Sequence, residues 1–139
     1  MNIIKTYVLV AFALSLGLAI TRAELPPDVY KSDQARSPEA LMIKVKSVRV
    51  VKKKQTWGMR SDIEAEAQVK AVTRSASGLR VGDLIRIKYS HSSYTQPMAG
   101  PSEPDILRQG ESYPAFLARN AKDGSYALEA GGYSFRLIK

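Results

Sequence analysis

The chain has 139 residues, a formal net charge of +8 and no cysteine. These values exclude disulfide cross-links and lipid attachment at a cysteine, and they leave room for a single domain with a modest core. The excess of positive charge favours anionic partners, such as a membrane surface, an acidic polysaccharide or an acidic protein.

The first 23 residues have the pattern of a secretory signal peptide. Lys5 precedes a mostly apolar run over residues 7–20, and Ala23 supplies the small residue at a cleavage site. The alternative is a membrane anchor, but a span needs roughly 20 apolar residues and this run is shorter. Cleavage would remove Lys5 and Arg22 and lower the net charge from +8 to +6. Small exported animal domains are commonly rich in disulfides, so we expect a bacterial protein that is periplasmic or secreted.

Residues 24–40 contain three prolines and few side chains of core size. We expect an extended N-terminal arm here, followed by one domain over residues 41–139. Apolar side chains alternate from Leu41 to Val45 and then resume in the opposite phase at Val48. This change of phase predicts a bulge or bend near Lys46 and Ser47 in a long first strand.

Four further segments alternate or are rich in strand formers, namely residues 63–71, 84–89, 113–118 and 125–129. The first of them has a helical composition, but its strict alternation favours a strand. A last apolar alternation over residues 133–137 closes the chain. Short strands bounded by turns, without a long helix, predict an all-β fold, a small five-stranded barrel or a sandwich.

Two spaced patterns resemble the netrin-like or TIMP-like OB-fold module. Leu79, Gly82 and Ile85 fit a Leu-x-x-Gly-x-x-Ile pattern before one strand, and the sequence LRQGESY at residues 107–113 fits Leu-x-x-Gly-x-x-Tyr before the next. The resemblance covers residues 41–135, most of the chain after the signal peptide, and implies an OB-like barrel with a binding role. Tissue inhibitors of metalloproteinases chelate zinc through an N-terminal cysteine that this chain lacks, so the resemblance does not extend to that inhibition.

Residues with catalytic chemistry are few. His91 is the one histidine, beside Ser92, Ser93 and Tyr94, and a zinc site needs several nitrogen or sulfur ligands. A small hydrolase using His91 is therefore the weakest hypothesis, and a solvated histidine is the simpler interpretation. Glu64 and Glu66 are interpreted as cross-strand ion-pair partners rather than as a glycosidase pair. We expect neither a cofactor nor a metal.

The sequence VVKKKQTWGMRS, residues 50–61, holds the strongest candidate binding site. A tryptophan offers a flat contact surface, and the surrounding cations form a positive rim. The alternative is a solvated hairpin whose lysines block edge pairing. Tyr94, in the long polar stretch over residues 90–110, is a further candidate. The candidate ligand- or partner-binding residues are therefore Lys52, Lys53, Lys54, Trp57, Arg60 and Tyr94.

Two functions remain open from the sequence. The first is an exported, non-catalytic accessory module that contacts another periplasmic or secreted protein. The second is a binder of acidic polysaccharide or another polyanion through the basic, tryptophan-containing loop. We expect no nucleic-acid ligand, because nucleic acid is scarce outside the cytoplasm, although the residue types would suit it.

Overall fold

A computed structural model describes residues 25–139, and the predicted signal peptide lies outside this range. The described chain contains one α-helix, five strands and one 3₁₀ turn. They are α1 (Pro27–Arg36), β1 (Glu39–Gln55), β2 (Gly58–Ser75), β3 (Leu84–Tyr94), β4 (Ser112–Arg119), β5 (Tyr126–Leu128) and the 3₁₀ turn Gly131–Tyr133. None of the helices within this range is long and apolar enough to cross a membrane.

The five strands close into a barrel in the order β1-β2-β3-β5-β4. Neighbouring strands are antiparallel except β3 and β5, which pair in parallel at Ile87 and Tyr126. This confirms the prediction of an all-β, five-stranded OB-like barrel. The side chains that fill the barrel include Ile43, Ile87 and Leu117, each fully buried.

The N-terminal arm differs from its prediction, because Pro27–Arg36 is helical rather than extended. Pro27 is at the first helical position, where a missing N–H is harmless and the fixed φ suits a helix. Asp28 in the first turn and Arg36 in the last turn complement the helix dipole. Pro26 and Pro27 therefore mark the start of a helix, and the prediction of an extended arm is wrong.

Long-range contacts with the end of the chain hold α1 in place. The Gln34 side chain donates hydrogen bonds to the carbonyl oxygens of Tyr133 and Arg136, at 2.8 and 2.6 Å. The Tyr30 ring lies 4.4 Å from the Tyr133 ring, centroid to centroid. These contacts join residues about a hundred positions apart, so no local pattern could have indicated them.

The predicted bulge in β1 is confirmed. The register between β1 and β2 shifts between Val45 and Ser47, which leaves Lys46 as the extra residue. Val45 is buried inside the barrel, and beyond the bulge the half-buried Val48 packs against the core. Because of the bulge, the first half of β1 forms part of the barrel wall and its second half extends past the barrel.

Two glycine turns repeat the same arrangement at the starts of β3 and β4. The N–H of Gly82 donates to the carbonyl of Val69 in β2, and the N–H of Gly110 donates to that of Val45 in β1, both at 2.8 Å. Both glycines have positive φ, 97° and 83°, a backbone conformation that residues with a side chain rarely adopt. Leu107 is buried before the second turn. The two spaced sequence patterns therefore correspond to two equivalent turns.

The segment between β3 and β4 has no helix or strand, and its Leu107 is buried in the core. The hydroxyl of Tyr89 donates to the carbonyl of Asp105 at 2.7 Å and accepts from the N–H of Leu107 at 2.9 Å. At the C-terminus, the predicted alternation over residues 133–137 is not a strand. Phe135 is nevertheless buried in the core, next to Tyr89.

Candidate functional site

The outer face of β1, β2 and β3 carries charged side chains that the pairing of these strands places next to each other. Directly opposite residues of neighbouring strands share a face. Arg49, Glu64 and Lys88 lie in one row across the three strands, and Lys53 and Arg60 lie opposite each other nearer the hairpin tip. We call this surface the outer face.

Cations and carboxylates neutralise each other along the outer face. The Glu64 carboxylate forms ion pairs with Arg49 at 3.0 Å and with Arg86 at 3.8 Å. Lys88 reaches across to Asp123, in the β4–β5 turn, at 3.1 Å. All these side chains are partly exposed, so each pair adds little stability. Their consequence is a surface of alternating charge with little net excess of either sign.

Asp62 sits between two of the predicted binding cations. Lys53 approaches one of its oxygens at 2.9 Å and Arg60 approaches the other at 3.0 Å. The hydrogen bonds from Lys53 and then from Arg60 hold the pKa of Asp62 below its ordinary value. One carboxylate is thus shared by two cations, and the positive rim expected at this position is half neutralised.

Two adjoining hollows run along the outer face. The first, of about 440 Å³, lies between β1, β2 and β3 and is lined by Arg49, Val51 and Asp62 among others. The second, of about 510 Å³, lies between β3 and the loop around residues 98–104. Lys88, Tyr89 and Ser90 line both hollows, so the two hollows adjoin along β3, and we call them together the outer groove.

The far end of the outer groove is apolar. Tyr94 and Met98 line it with exposed fractions of 41% and 61%. The ring of Trp57 lies 5.1 Å from the ring of Tyr94, centroid to centroid. Two of the candidate residues are therefore in contact, and Tyr94 brings that aromatic pair to the groove.

The three consecutive lysines do not form one cluster. Side chains alternate along a strand, so Lys53 is on the outer face while Lys52 and Lys54 are on the opposite face, across from Ser61 and Met59. Lys52 and Lys54 are exposed and have no ion-pair partner within residues 25–139. The structure therefore divides the predicted site, and it brings together Lys53, Arg60, Trp57 and Tyr94 around one surface.

His91 has a structural partner. Its Nδ1 atom lies 2.7 Å from the carbonyl oxygen of Pro104, and the neighbouring Ser92 N–H donates to Glu103 at 3.1 Å. Both contacts attach the β3–β4 loop to β3. Across residues 25–139 there is also no group of three or more histidine, aspartate and glutamate side chains that could hold a metal ion.

Sequence reasoning missed the outer groove as a site, although part of the signal was present. The alternation of Glu64 and Glu66 with apolar residues, and of Arg86 and Lys88 likewise, indicates a common charged face. The wall formed by residues 98–104 had no such signal, because a loop has no periodic pattern that could place it. Comparisons of the chain with protein-family models, curated proteins and solved structures gave no match.

Proposed function

We propose that the protein is an exported, non-catalytic module that binds another periplasmic or secreted protein through the outer groove. The observation that carries this proposal is the character of that groove, in which paired charges of both signs lead to an exposed aromatic and methionine end. Protein interfaces combine such a mixed polar surface with aromatic anchors. Export rests on the sequence of residues 1–23, which resembles a signal peptide.

The polyanion alternative is supported by Lys52 and Lys54, which are exposed and have no carboxylate partner within the described chain. It is opposed by the pairing of Lys53 and Arg60 with Asp62. Affinity for a long anionic polymer rises with the number of cations that contact it. Here the hairpin cations lie on two faces, and two of them already pair with Asp62. The protein-binding function is therefore the one that the geometry favours.

We also propose that the barrel is a cysteine-free relative of the netrin-like module. The support is the pair of equivalent turns at Gly82 and Gly110, where the resemblance in sequence lies. The proposal covers the barrel and its binding role, and it leaves aside the zinc-chelating inhibition of the cysteine-containing proteins.

An affinity capture from the native exported fraction tests the binding function. Ser90 is exposed and lines both hollows, so Ser90→Trp fills the outer groove without removing an ion pair. Ser112→Trp is the matched control, because Ser112 is an exposed strand residue that lines neither hollow. We expect a protein retained by the wild type and by Ser112→Trp at high salt, and lost with Ser90→Trp. Retention of salt-labile polyanions alone would favour the alternative.

A further inference from the structure

The second half of β1 has an unpaired edge. β1 pairs with β4 only as far as Lys44, and Val45 pairs with the turn at Gly110. Beyond the bulge, residues 47–55 pair with β2 on one side. On the other side, no backbone hydrogen bond reaches them from anywhere in residues 25–139. We call residues 47–55 the edge segment.

Alternate residues of the edge segment direct their N–H and C=O groups away from β2. An exposed row of such groups is a template on which another strand can pair. Every residue from Arg49 to Gln55 is exposed, including Val50 at 37% and Val51 at 46%. These two valines lie on opposite faces, so an added strand would gain apolar contact on both sides.

The charge of the edge segment selects the kind of strand that fits. The segment contains four cations, namely Arg49, Lys52, Lys53 and Lys54, and no acidic residue. Arg49 and Lys53 pair with carboxylates of β2, whereas Lys52 and Lys54 have none within the described chain. Opposite charges across neighbouring strands are favourable and like charges are not. The segment therefore fits an acidic strand, and a second copy of the same lysine-bearing strand would be repelled.

The edge segment is continuous with the outer groove, because Arg49 and Val51 line its first hollow. A strand added beside them would extend the outer face and close the open side of that hollow. We propose that the edge segment receives an extended, acidic segment of the partner protein as an additional strand of the barrel wall. This inference rests on the proposed protein-binding function and names the part of the partner that is recognised.

A model peptide tests strand addition directly. The probe is a fluorescent, end-capped octapeptide of alternating glutamate and valine, and its binding to the protein is measured by anisotropy. A second version is N-methylated at four consecutive central amides, so its charge is kept but neither edge can pair. A third replaces glutamate by lysine. We expect the first to bind, the second to bind at least about tenfold more weakly because its strand hydrogen bonds are lost, and the third not to bind.

Variants of the protein locate the binding. Lys52→Glu with Lys54→Glu should weaken binding of the glutamate peptide at least about tenfold through like-charge repulsion. Lys70→Glu with Lys122→Glu makes the same change of charge at two other exposed positions and should leave binding nearly unchanged. Amide hydrogen exchange in the complex should show new protection confined to residues 47–55.

Several results would overturn the inference. They are equal binding of the plain and N-methylated peptides, no binding of the plain peptide, or self-association of the free protein through this edge. A native partner that is lost with Ser90→Trp but kept by the double edge variant would also overturn it. That last outcome would leave the protein-binding function of the outer groove standing, whereas a partner kept by both Ser90→Trp and the double edge variant would remove both proposals.

Discussion

The indole of Trp57 packs against the phenol ring of Tyr94 at 5.1 Å and an interplanar angle of 40°, at the tip of the β1–β2 hairpin. The carbonyl of Trp57 also accepts a hydrogen bond from the N–H of Thr95 at 3.1 Å. The tip is thereby attached to the end of β3, next to the apolar end of the outer groove. One tryptophan thus supports both the hairpin and the proposed contact surface.

Replacing Trp57 by alanine should lower the free energy of unfolding by at least about 1 kcal/mol, because the aromatic pair contributes roughly that amount and the buried area of the indole is lost as well. Urea denaturation measures this loss. Trp57→Phe keeps a ring beside Tyr94 and should recover most of it. If the two variants were equally stable, the ring contact would contribute nothing to the fold.

Gly58 follows the hairpin turn and should not tolerate a side chain. Its φ is 151°, and a Cβ atom built there would overlap the carbonyl oxygen of Ser93 in β3. Gly58→Ala should therefore cost about 1–3 kcal/mol of stability, the usual range for strained backbone. Gly100→Ala is the control, since nothing lies within 4 Å of a Cβ at that position. Thermal denaturation of both variants checks the difference, and an equal response would contradict the close approach of β2 and β3.

Tyr89→Phe should loosen the segment between β3 and β4. The hydroxyl of Tyr89 serves both Asp105 and Leu107, whose backbone groups would lose their partner. We expect a loss of about 2 kcal/mol in the free energy of unfolding, within the range for unsatisfied buried groups. Tyr113→Phe is the control, because the Tyr113 hydroxyl bonds to exposed groups and should cost less than 1 kcal/mol.

Because of Tyr89, the free energy of unfolding should also depend on pH in the alkaline range. Burial raises the pKa of Tyr89 to about 12 from an ordinary value of 10.0. Because the folded pKa is the higher one, the stabilisation is complete below pH 10.0 and is lost as the pH rises to about 12. Denaturation midpoints measured across this interval should fall for the wild type and less steeply for Tyr89→Phe. Parallel curves for the two proteins would show that another group titrates.

Asp62→Asn should release Lys53 and Arg60 and raise polyanion binding. The change removes the carboxylate that both cations share, so the hairpin gains unpaired positive charge. Elution from an anionic polysaccharide column should shift to higher salt. Asp33→Asn makes the same change of net charge beside Arg36 on α1 and should shift elution less. Equal shifts would mean that retention follows net charge and not the hairpin.

Low pH should act on the wild type in the same direction as Asp62→Asn. The pKa of Asp62 in the folded protein lies below its ordinary value of 3.8. Its ion pairs therefore stabilise the hairpin fully at pH values above 3.8, and this stabilisation is lost as the pH falls through the folded pKa. Retention of the wild type on the same column should increase on acidification more than that of Asp62→Asn, whose amide does not titrate. The two proteins would respond alike if Asp62 did not hold the cations.

The strands and the bulge could be predicted because they depend on local alternation. Val45 and Val48 reveal the change of phase by themselves, and Gly82 and Gly110 mark turns that only glycine suits. The helix α1 could not be predicted, since it depends on Gln34 reaching the last residues of the chain. Its prolines are equally compatible with a helix start and with extended chain.

The candidate site was predicted in part. Trp57 and Tyr94 do meet, but the lysines from Lys52 to Lys54 are divided between two faces. Strand alternation would have indicated this division, had the lysines been assigned to the strand rather than to a loop. The pairing of Arg60 with Asp62 and the position of residues 98–104 required the folded structure.

Site-specific photo-crosslinking tests the central claim most directly. A photoreactive amino acid at Val51 belongs to the edge segment and also lines the outer groove, and one at Lys122 serves as an exposed control. Crosslinking is carried out in the native exported fraction, and the attached peptide is identified by mass spectrometry. We expect one protein to be crosslinked from position 51, through an acidic segment, and not from position 122. The same products from both positions, or none from position 51, would contradict it.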